Sequence, residues 1–283
     1  MRLSTSLFKS MHRIREWFHP YQPSIEHLGR TTVQYEEVEP VADLLPYVFC
    51  YWELKTSVSL TEPFMYRVVS DGCIDVLVEQ SRPKDVFATG FSTRYLEYDL
   101  GTSFHYLGIR FLPAGFPALF EVAAEALTNQ FIPLREVAPE LYRTLHPGLT
   151  APLSLAEAQS YWDTKLMAWL RHRDTPPQID GRLLEAMHQI LEARGGLHLA
   201  GLDVGVSERQ LRRLFGYYFG ESPKTFAKIV RFQNILAAKP STPSLRQDKL
   251  FYDEGYYDQA HFIKEFKAFY GVTPTRAFGR IKE

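Results

Sequence analysis

The last third of the sequence contains two copies of one helical pattern, and this repeat constrains the fold more than any other feature. Each copy has a polar residue that can cap a helix, then apolar residues at helical spacing, then a glycine and a proline. At an offset of 51 residues the paired positions are Ser207 and Asp258, Leu211 and Phe262, Phe215 and Phe266, Gly220 and Gly271, and Pro223 and Pro274. The repeat predicts two similar helical units in series.

A glycine stands just before the cap in each copy. Gly205 precedes Ser207, and Gly255 precedes Asp258. Glycine tolerates the positive φ that ends one helix, and Ser or Asp can cap the next. Two helices joined by a short turn, the second with a polar outer face, are typical of a helix-turn-helix. We predict two such units, joined by a linker helix that begins at Pro223.

A projection at 100° per residue separates the buried and outward faces of each second helix. Arginines dominate the outward face of the first copy and lysines that of the second. Arginine is best suited to guanine edges in the major groove, whereas lysine binds phosphate as a point charge. The predicted DNA-binding residues are Ser207, Arg209, Arg212 and Arg213 in the first copy and Gln259, His261, Lys264 and Lys267 in the second, where Ala260 and Ile263 also face outward.

From these two faces we predict that the first unit supplies most base recognition and that the second mainly anchors the DNA backbone. A solvated charged face is the alternative for both sets, and it has more weight for the lysines.

The region from about residue 33 to 112 consists of short segments rich in Val, Ile, Phe and Tyr, separated by turn residues. The segments are YVFCYWELK, MYRVVS, CIDVLVEQ, DVFATGF and HYLGIRFL. This spacing predicts a β-barrel or sandwich. Helical patterns follow over about 113–172, including GFPALFEVAAEAL and a segment that starts with a capping box of Ser154 and Glu157.

Two adjacent prolines in RDTPPQID, residues 173–180, cannot continue the preceding helix. We therefore place a linker there, between an N-terminal domain at 1–172 and a double helix-turn-helix domain at 181–283. The predicted fold class is α+β, with an N-terminal barrel-like or sandwich-like domain flanked by helices and an all-α C-terminal domain.

Composition and charge agree with two globular domains. The 283 residues are 45% hydrophobic and 14% aromatic, which supplies enough apolar material for two cores. The net charge is -1, but residues 178–283 carry 16 Lys and Arg against 12 Asp and Glu, a net of +4, which leaves -5 for the first 177. The two cysteines, with no secretory h-region and no apolar run long enough for a membrane span, favour a cytoplasmic protein.

The first 18 residues form an amphipathic pattern with Leu7, Met11, Ile14 and Phe18 on one face. A transit peptide or a helix that binds a membrane surface is one interpretation. A helix packed on its own domain or on a second subunit is the favoured one.

The motifs VGVSERQLRRLFGYYFGESPKTFAKIVRFQNIL and GYYDQAHFIKEFKAFYGVTP resemble those of the AraC/XylS family of bacterial transcription regulators. The resemblance covers about Asp180 to Phe278 and implies two DNA-binding helix-turn-helix units joined by a linker helix. A linker helix of roughly 24 Å suits two helices in successive major grooves, so one chain is expected to cover about two turns of double-stranded DNA. The resemblance also implies an effector-sensing or dimerisation domain ahead of them, with a homodimer and contact with RNA polymerase as further possibilities. Gly201 and Phe251 depart from the family, which commonly has alanine four residues before each turn glycine.

A looser resemblance concerns the N-terminal half. The motifs YW at 51–52, DGCID at 71–75, TG at 89–90 and LGIRFLPAGF at 107–116 are similar to a poorly characterised barrel-like domain that often precedes this DNA-binding domain. Ser70 stands where that domain usually has proline before the Asp-Gly.

A small-molecule pocket and an enzyme active site are the remaining hypotheses for the N-terminal half. Aromatic and thiol side chains on the β segments could line a pocket, although barrels of this size are usually filled; the candidates are Trp52, Tyr66, Cys73, Phe87 and Tyr106. The scattered histidines have no metal-binding spacing, and Cys73 near Asp75 is more simply a buried thiol than a nucleophile. We predict no catalytic residue, metal or cofactor. A barrel enzyme or sequestering protein whose helix-turn-helix pair serves self-association is the alternative.

Overall fold

The computed structural model describes residues 5–22, 32–149, 152–173, 175, 177–196, 202–238, 256 and 258–278, and for 5–10 it describes the helical backbone alone. The strands are β1 (Val33–Val38), β2 (Val48–Thr56), β3 (Met65–Val68), β4 (Ile74–Glu79), β5 (Val86–Thr89), β6 (Leu96–Asp99), β7 (His105–Phe111) and β8 (Phe131–Pro133). The helices are α1 (Thr5–Trp17), α2 (Gly115–Phe120), α3 (Leu134–Val137), α4 (Pro139–Leu145), α5 (Leu155–Arg171), α6 (Gly181–Glu192), α7 (Glu208–Phe219), α8 (Pro223–Ala237), α9 (Gln259–Tyr270) and α10 (Pro274–Phe278).

The strands form two antiparallel sheets. The larger sheet has the order β1-β2-β7-β4-β5-β8, and β3 pairs with β6 in a two-stranded sheet. Side chains alternate across the larger sheet as the period of two requires. Tyr51, Val76 and Ile109 lie in the core that faces the helices, whereas Trp52 on the opposite face packs toward Tyr66 of the small sheet. The α+β class, with a sheet-rich N-terminal half and a helical C-terminal half, is thus confirmed.

All five predicted β segments contain a strand. The helical region predicted for 113–172 needs two corrections, because it also holds β8, and because the segment GFPALFEVAAEAL is not one helix. Helix α2 ends at Phe120, since Glu121 takes a φ of 57° and a short 3₁₀ turn follows at Ala124–Ala126. The Leu119 carbonyl, which a longer helix would use, instead accepts hydrogen bonds from Trp169 Nε1 at 3.1 Å and Arg173 Nη1 at 2.7 Å.

Helix α5 begins as predicted, with a capping box between Ser154 and Glu157. Its apolar side packs inside the chain, where Trp162 is buried 5.4 Å from the Tyr51 ring. Leu166 is also buried, so the apolar side of α5 is covered by other parts of the same chain.

The N-terminal helix packs within the chain. Met11, Ile14 and Phe18 are buried, and the Phe18 ring lies 6.1 Å from Phe226 of α8. Arg15 donates to the Val48 carbonyl at 2.9 Å, so α1 contacts both halves. These contacts agree with the favoured interpretation of the first 18 residues, a helix packed on its own domain. Among the described residues, no helix has the length and apolar character needed to cross a membrane.

The two halves share one continuous apolar core and several polar contacts. Phe91, after β5, lies 4.8 Å from Phe219 of α7. Gln233 of α8 is buried, donates to the Ser70 carbonyl at 2.8 Å and accepts from Tyr21 N at 2.7 Å. The domain boundary at 173–180 falls between α5 and α6 and stays a prediction.

Candidate functional site

Helix α7 presents three arginines to solvent. The Ser207 hydroxyl caps it by accepting from Gln210 N at 3.3 Å, and Gly205 has the positive φ, 71°, that was predicted for the turn. The buried side consists of Leu211, Phe215 and Phe219. The predicted DNA-binding residues Ser207, Arg209, Arg212 and Arg213 are all exposed on the other side. Because arginine side chains carry rigid forks of N–H donors, this surface can pair with guanine edges or phosphates.

Helix α9 presents fewer charges. Asp258 caps it, with Oδ1 accepting from His261 N at 2.7 Å. Gln259, Lys264 and Lys267 are exposed, as predicted. His261 is half-buried against the Tyr256 ring at 5.6 Å.

Ile263 differs from the outward position that the projection predicts. It is half-buried and packs on the main core. The apolar stripe of α9 is therefore wider than phenylalanine spacing alone indicated, which narrows the surface left for DNA.

A buried carboxylate, not found by sequence reasoning, joins α9 to the linker helix α8. Glu265 is 6% exposed, and its oxygens lie 3.3 Å from Lys228 Nζ and 3.4 Å from Arg231 Nη2 of α8. His261 Nε2 approaches the same carboxylate at 3.7 Å. These ion pairs set the position of α9 on the linker. The sequence feature that could have identified this buried carboxylate is the position of Glu265 between Phe262 and Phe266, on the apolar stripe of α9.

A cavity of about 120 Å³ lies between the two sheets of the N-terminal half. It is mostly apolar, with five aromatic rings and a few polar groups; the lining residues are Trp52, Leu54, Tyr66, Val68, Asp75, Leu77, Thr89, Tyr98, Leu100, Tyr106, Arg110 and Phe131. Gly108 makes room for one wall, because a Cβ there would lie 2.3 Å from the Trp52 indole.

The charged groups that line the cavity are Arg110 and Asp75. The guanidinium binds Asp75 through two hydrogen bonds of 3.0 and 3.1 Å, and it lies 3.6 Å from Glu37 and 3.8 Å from Asp71. Burial raises the pKa of the Asp75 carboxyl to about 6, although Arg110 opposes the shift. The charge of Arg110 and its two hydrogen bonds favour the ionised form of Asp75.

Of the predicted pocket residues, Trp52, Tyr66 and Tyr106 line this cavity. Phe87 stacks at 4.7 Å on Phe131, which is itself a lining residue. Cys73 instead packs in the core that faces the helices. Burial raises the pKa of its thiol well above the usual value, which keeps it protonated and argues against a nucleophile.

Two family models match separate parts of the chain. Residues 202–280 match the family model of a helix-turn-helix domain, and residues 36–133 match a domain of unknown function, DUF6597. No curated protein matches the sequence significantly.

Two solved structures of ToxT from Vibrio cholerae O395 align with 88% of this chain at low similarity. One has 9% identity, covers 96% of the ToxT chain and gives a TM-score of 0.38. The other, bound to (E)-4-(8-methylnaphthalen-1-yl)but-3-enoic acid, has 10% identity, 98% coverage and a TM-score of 0.39. Scores below 0.5 do not establish a common fold, so the assignment rests on the domain match.

The matched domain, with capped helices and exposed arginines, defines a DNA-binding protein of the helix-turn-helix class. The helix-turn-helix domain is of the AraC type, a domain of DNA-binding transcription regulators. The structure does not describe three positions of the first helices and turns that were singled out in the sequence. They are Gly201, Phe251 and Gly255.

Proposed function

We propose that α7 and α9 enter successive major grooves, so that one chain covers about two turns of duplex, and that α7 supplies most of the base recognition. The observation that carries this proposal is the set of three exposed arginines on α7, inside the matched helix-turn-helix domain. Exposed Lys264 and Lys267 give α9 the character of a phosphate anchor.

The linker helix supports this arrangement. Helix α8 has 15 residues, about 22 Å of length, and successive major grooves on one face lie about 34 Å apart. Two helices joined through such a rod can reach neighbouring grooves. The buried pairing of Glu265 with Lys228 and Arg231 fixes α9 against the middle of α8.

The N-terminal half forms, in this proposal, an effector-binding domain that controls the DNA-binding half. Its support is the cavity lined by Trp52, Tyr66 and Tyr106, together with the direct contacts between the halves. In this proposal the protein acts in the cytoplasm. As an activator of transcription it contacts RNA polymerase. A homodimer matches a DNA site that consists of two repeated halves.

Binding to random duplex at increasing salt separates a regulator from an enzyme or sequestering protein. A regulator that neutralises several phosphates loses affinity steeply, with a log-log slope near -0.9 per phosphate. We expect a slope of about -4 or steeper, because five exposed cationic side chains lie on the two helices. If the chain does not bind duplex DNA at low salt, the result would favour an enzyme or a sequestering protein.

A further inference from the structure

The N-terminal half contacts the ends of α7 and α9 at the same position of the internal repeat. Gly220 ends α7 and Gly271 ends α9, and these two glycines are equivalent residues of the two copies. A Cβ at Gly220 would lie 2.3 Å from Thr128 Oγ1, and a Cβ at Gly271 would lie 2.9 Å from the Tyr95 ring. The N-terminal half therefore packs directly against both glycines.

Hydrogen bonds accompany both contacts. The Thr128 hydroxyl donates to the Gly220 carbonyl at 2.9 Å, and Tyr95 N donates to the Ala268 carbonyl of α9 at 3.2 Å. Both carbonyls are among the last four of their helices, which have no partner within the helix. Each helix end thus receives a hydrogen bond from the other half of the chain.

The two contacting segments of the N-terminal half, the loop at 90–95 and the turn at 124–130, are joined to each other. Asn129 N donates to the Phe91 carbonyl at 2.9 Å, and the side-chain oxygen of Asn129 accepts from Thr93 N at 2.9 Å. Together the two segments form a clamp that contacts α7 through the turn and α9 through the loop.

The clamp is a second link between α7 and α9, in addition to the linker helix α8. On α8, Phe226 lies 5.7 Å from Phe215 of α7, and Phe232 lies 5.5 Å from Phe266 of α9. A change in the distance between α7 and α9 must therefore disturb contacts on α8 and on the clamp. Two links between the same helices hold their relative position more firmly than one.

The clamp leaves the N-terminal parts of both helices open. In helix-turn-helix proteins the N-terminal residues of the recognition helix contact the base edges. Arg209 and Arg212 of α7 are exposed in this part, as are Gln259 and Lys264 of α9. The clamp contacts the opposite, C-terminal ends. It can therefore hold the two helices while both of them contact DNA.

We propose that the clamp sets the distance and angle between α7 and α9, so that the chain accepts one spacing between the two base-pair blocks of its DNA site. Thr128 and Tyr95 are positioning residues, which act through the helix ends and do not touch DNA. This role of the clamp deepens the proposed binding to successive grooves and rests on it.

Duplexes with one base pair inserted or removed between the two selected blocks test the spacing on the full chain. One base pair moves the second block by about 3.4 Å and turns it by about 35°. The unaltered chain is expected to bind either duplex about ten-fold more weakly, comparable to the loss of one base-pair contact. The clamp variant, Thr128→Val with Tyr95→Ala, is expected to lose about three-fold or less, because its helices can adjust.

The matched control is Thr144→Val with Tyr142→Ala. The Thr144 hydroxyl donates to the Glu140 carbonyl at 2.9 Å, and the Tyr142 ring lies 4.9 Å from His146, so both contacts stay within the N-terminal half. This control should keep the ten-fold loss of the unaltered chain.

Spin labels on Glu208→Cys of α7 and Ala260→Cys of α9 measure the distance between the two helices without DNA. Both positions are exposed, whereas the native Cys50 and Cys73 are buried. Pulsed electron paramagnetic resonance should give a narrow distance distribution for the labelled chain and for the labelled control, and a broader one for the labelled clamp variant.

Equal spacing losses in the clamp variant and the control, or equally narrow distance distributions, overturn the inference. Tighter binding of the clamp variant at the best spacing also overturns it, because the clamp would then hold the helices in a position that DNA must undo. If the clamp variant does not fold, the unaltered chain decides, since binding to both altered duplexes without loss overturns a fixed spacing.

The two kinds of measurement separate this inference from the proposed function. If selection from a random pool yields no pair of blocks, the proposed binding to successive grooves fails, and the spin-label distances still decide whether the clamp positions the helices. If two blocks are found but their spacing can vary freely, the proposed function stands and the clamp has no such role.

Discussion

Arginine and lysine contact DNA in different ways, and in the C-terminal half they lie on different helices, α7 and α9. The exposed arginines lie on α7 and the exposed lysines on α9. A bidentate arginine discriminates between bases, whereas a lysine on phosphate contributes equally to every sequence. The division of labour proposed for the two helices therefore depends on single side chains and can be tested one residue at a time.

We predict that Arg212→Ala reduces the preference for the best site over altered sites by about 1–3 kcal/mol. Lys264→Ala, an exposed residue of the partner helix, serves as the matched comparison. It should weaken binding evenly across sequences and lower the salt slope by about one. Fluorescence anisotropy on the best duplex and on altered duplexes, at several salt concentrations, measures both effects. Equal losses of discrimination in the two variants would contradict the assignment.

Sequence reasoning identified these exposed residues because a polar side chain on an amphipathic helix has an outward direction that follows from spacing alone. It could not identify Glu265 or Arg110 as buried charges. Both lie in stretches dominated by apolar side chains, and their partners come from distant positions, Lys228 for Glu265 and Asp75 for Arg110. Such pairings depend on how helices and strands meet, and one helix or strand alone does not carry that information.

At the level of elements, local signals proved sufficient wherever a cap or an apolar alternation was strong. Helix α5 begins at the predicted capping box of Ser154 and Glu157, and α8 begins at Pro223 as predicted, with Ser222 as its cap. The strands β1, β6 and β8 were not singled out, because their pairing depends on neighbours rather than on their own alternation. The end of α2 at Phe120 depends on Trp169 of α5 and on Arg173, whose side chains donate hydrogen bonds to the Leu119 carbonyl.

The linker helix α8 and the loop between β3 and β4 are joined through Gln233. Because its amide binds both Ser70 O and Tyr21 N in the interior, we predict that Gln233→Leu lowers the free energy of unfolding by about 1–3 kcal/mol. Gln189→Leu is the matched control, since the Gln189 amide binds Glu185 in an exposed position. Urea titration measures both variants. A loss below about 0.5 kcal/mol for Gln233→Leu, the range of ordinary surface changes, would show that the bridge contributes little.

At the scale of the whole molecule, the DNA-binding half is packed against the N-terminal half through a shared core. Phe18 approaches Phe226, and Phe91 approaches Phe219, so separation of the halves would expose aromatic surface on both. The sequence predicted a linker at 173–180, but its polar composition gave no sign of this contact.

The shared core predicts that the chain unfolds in one cooperative step. All four tryptophans precede residue 173, so their fluorescence reports on the N-terminal half, whereas far-UV circular dichroism also reports on the C-terminal helices. On heating, the two signals should change together. Duplex at about 100 times the dissociation constant should raise both midpoints, because it stabilises the folded chain by about 2.7 kcal/mol. Two separate transitions, with DNA shifting only the later or earlier one, would show that the halves unfold independently.

In the proposed mode of binding, one chain places two helices in successive major grooves, and α7 recognises the bases. Selection of bound duplexes from a random pool tests it most directly, because the enriched sequences reveal the site and its spacing. We expect two short recurrent blocks whose centres lie about one helical turn, 10–10.5 base pairs, apart, with the stronger block lost in Arg212→Ala. Enrichment of no sequence above the starting pool, or of a single block unchanged by Arg212→Ala, would contradict it.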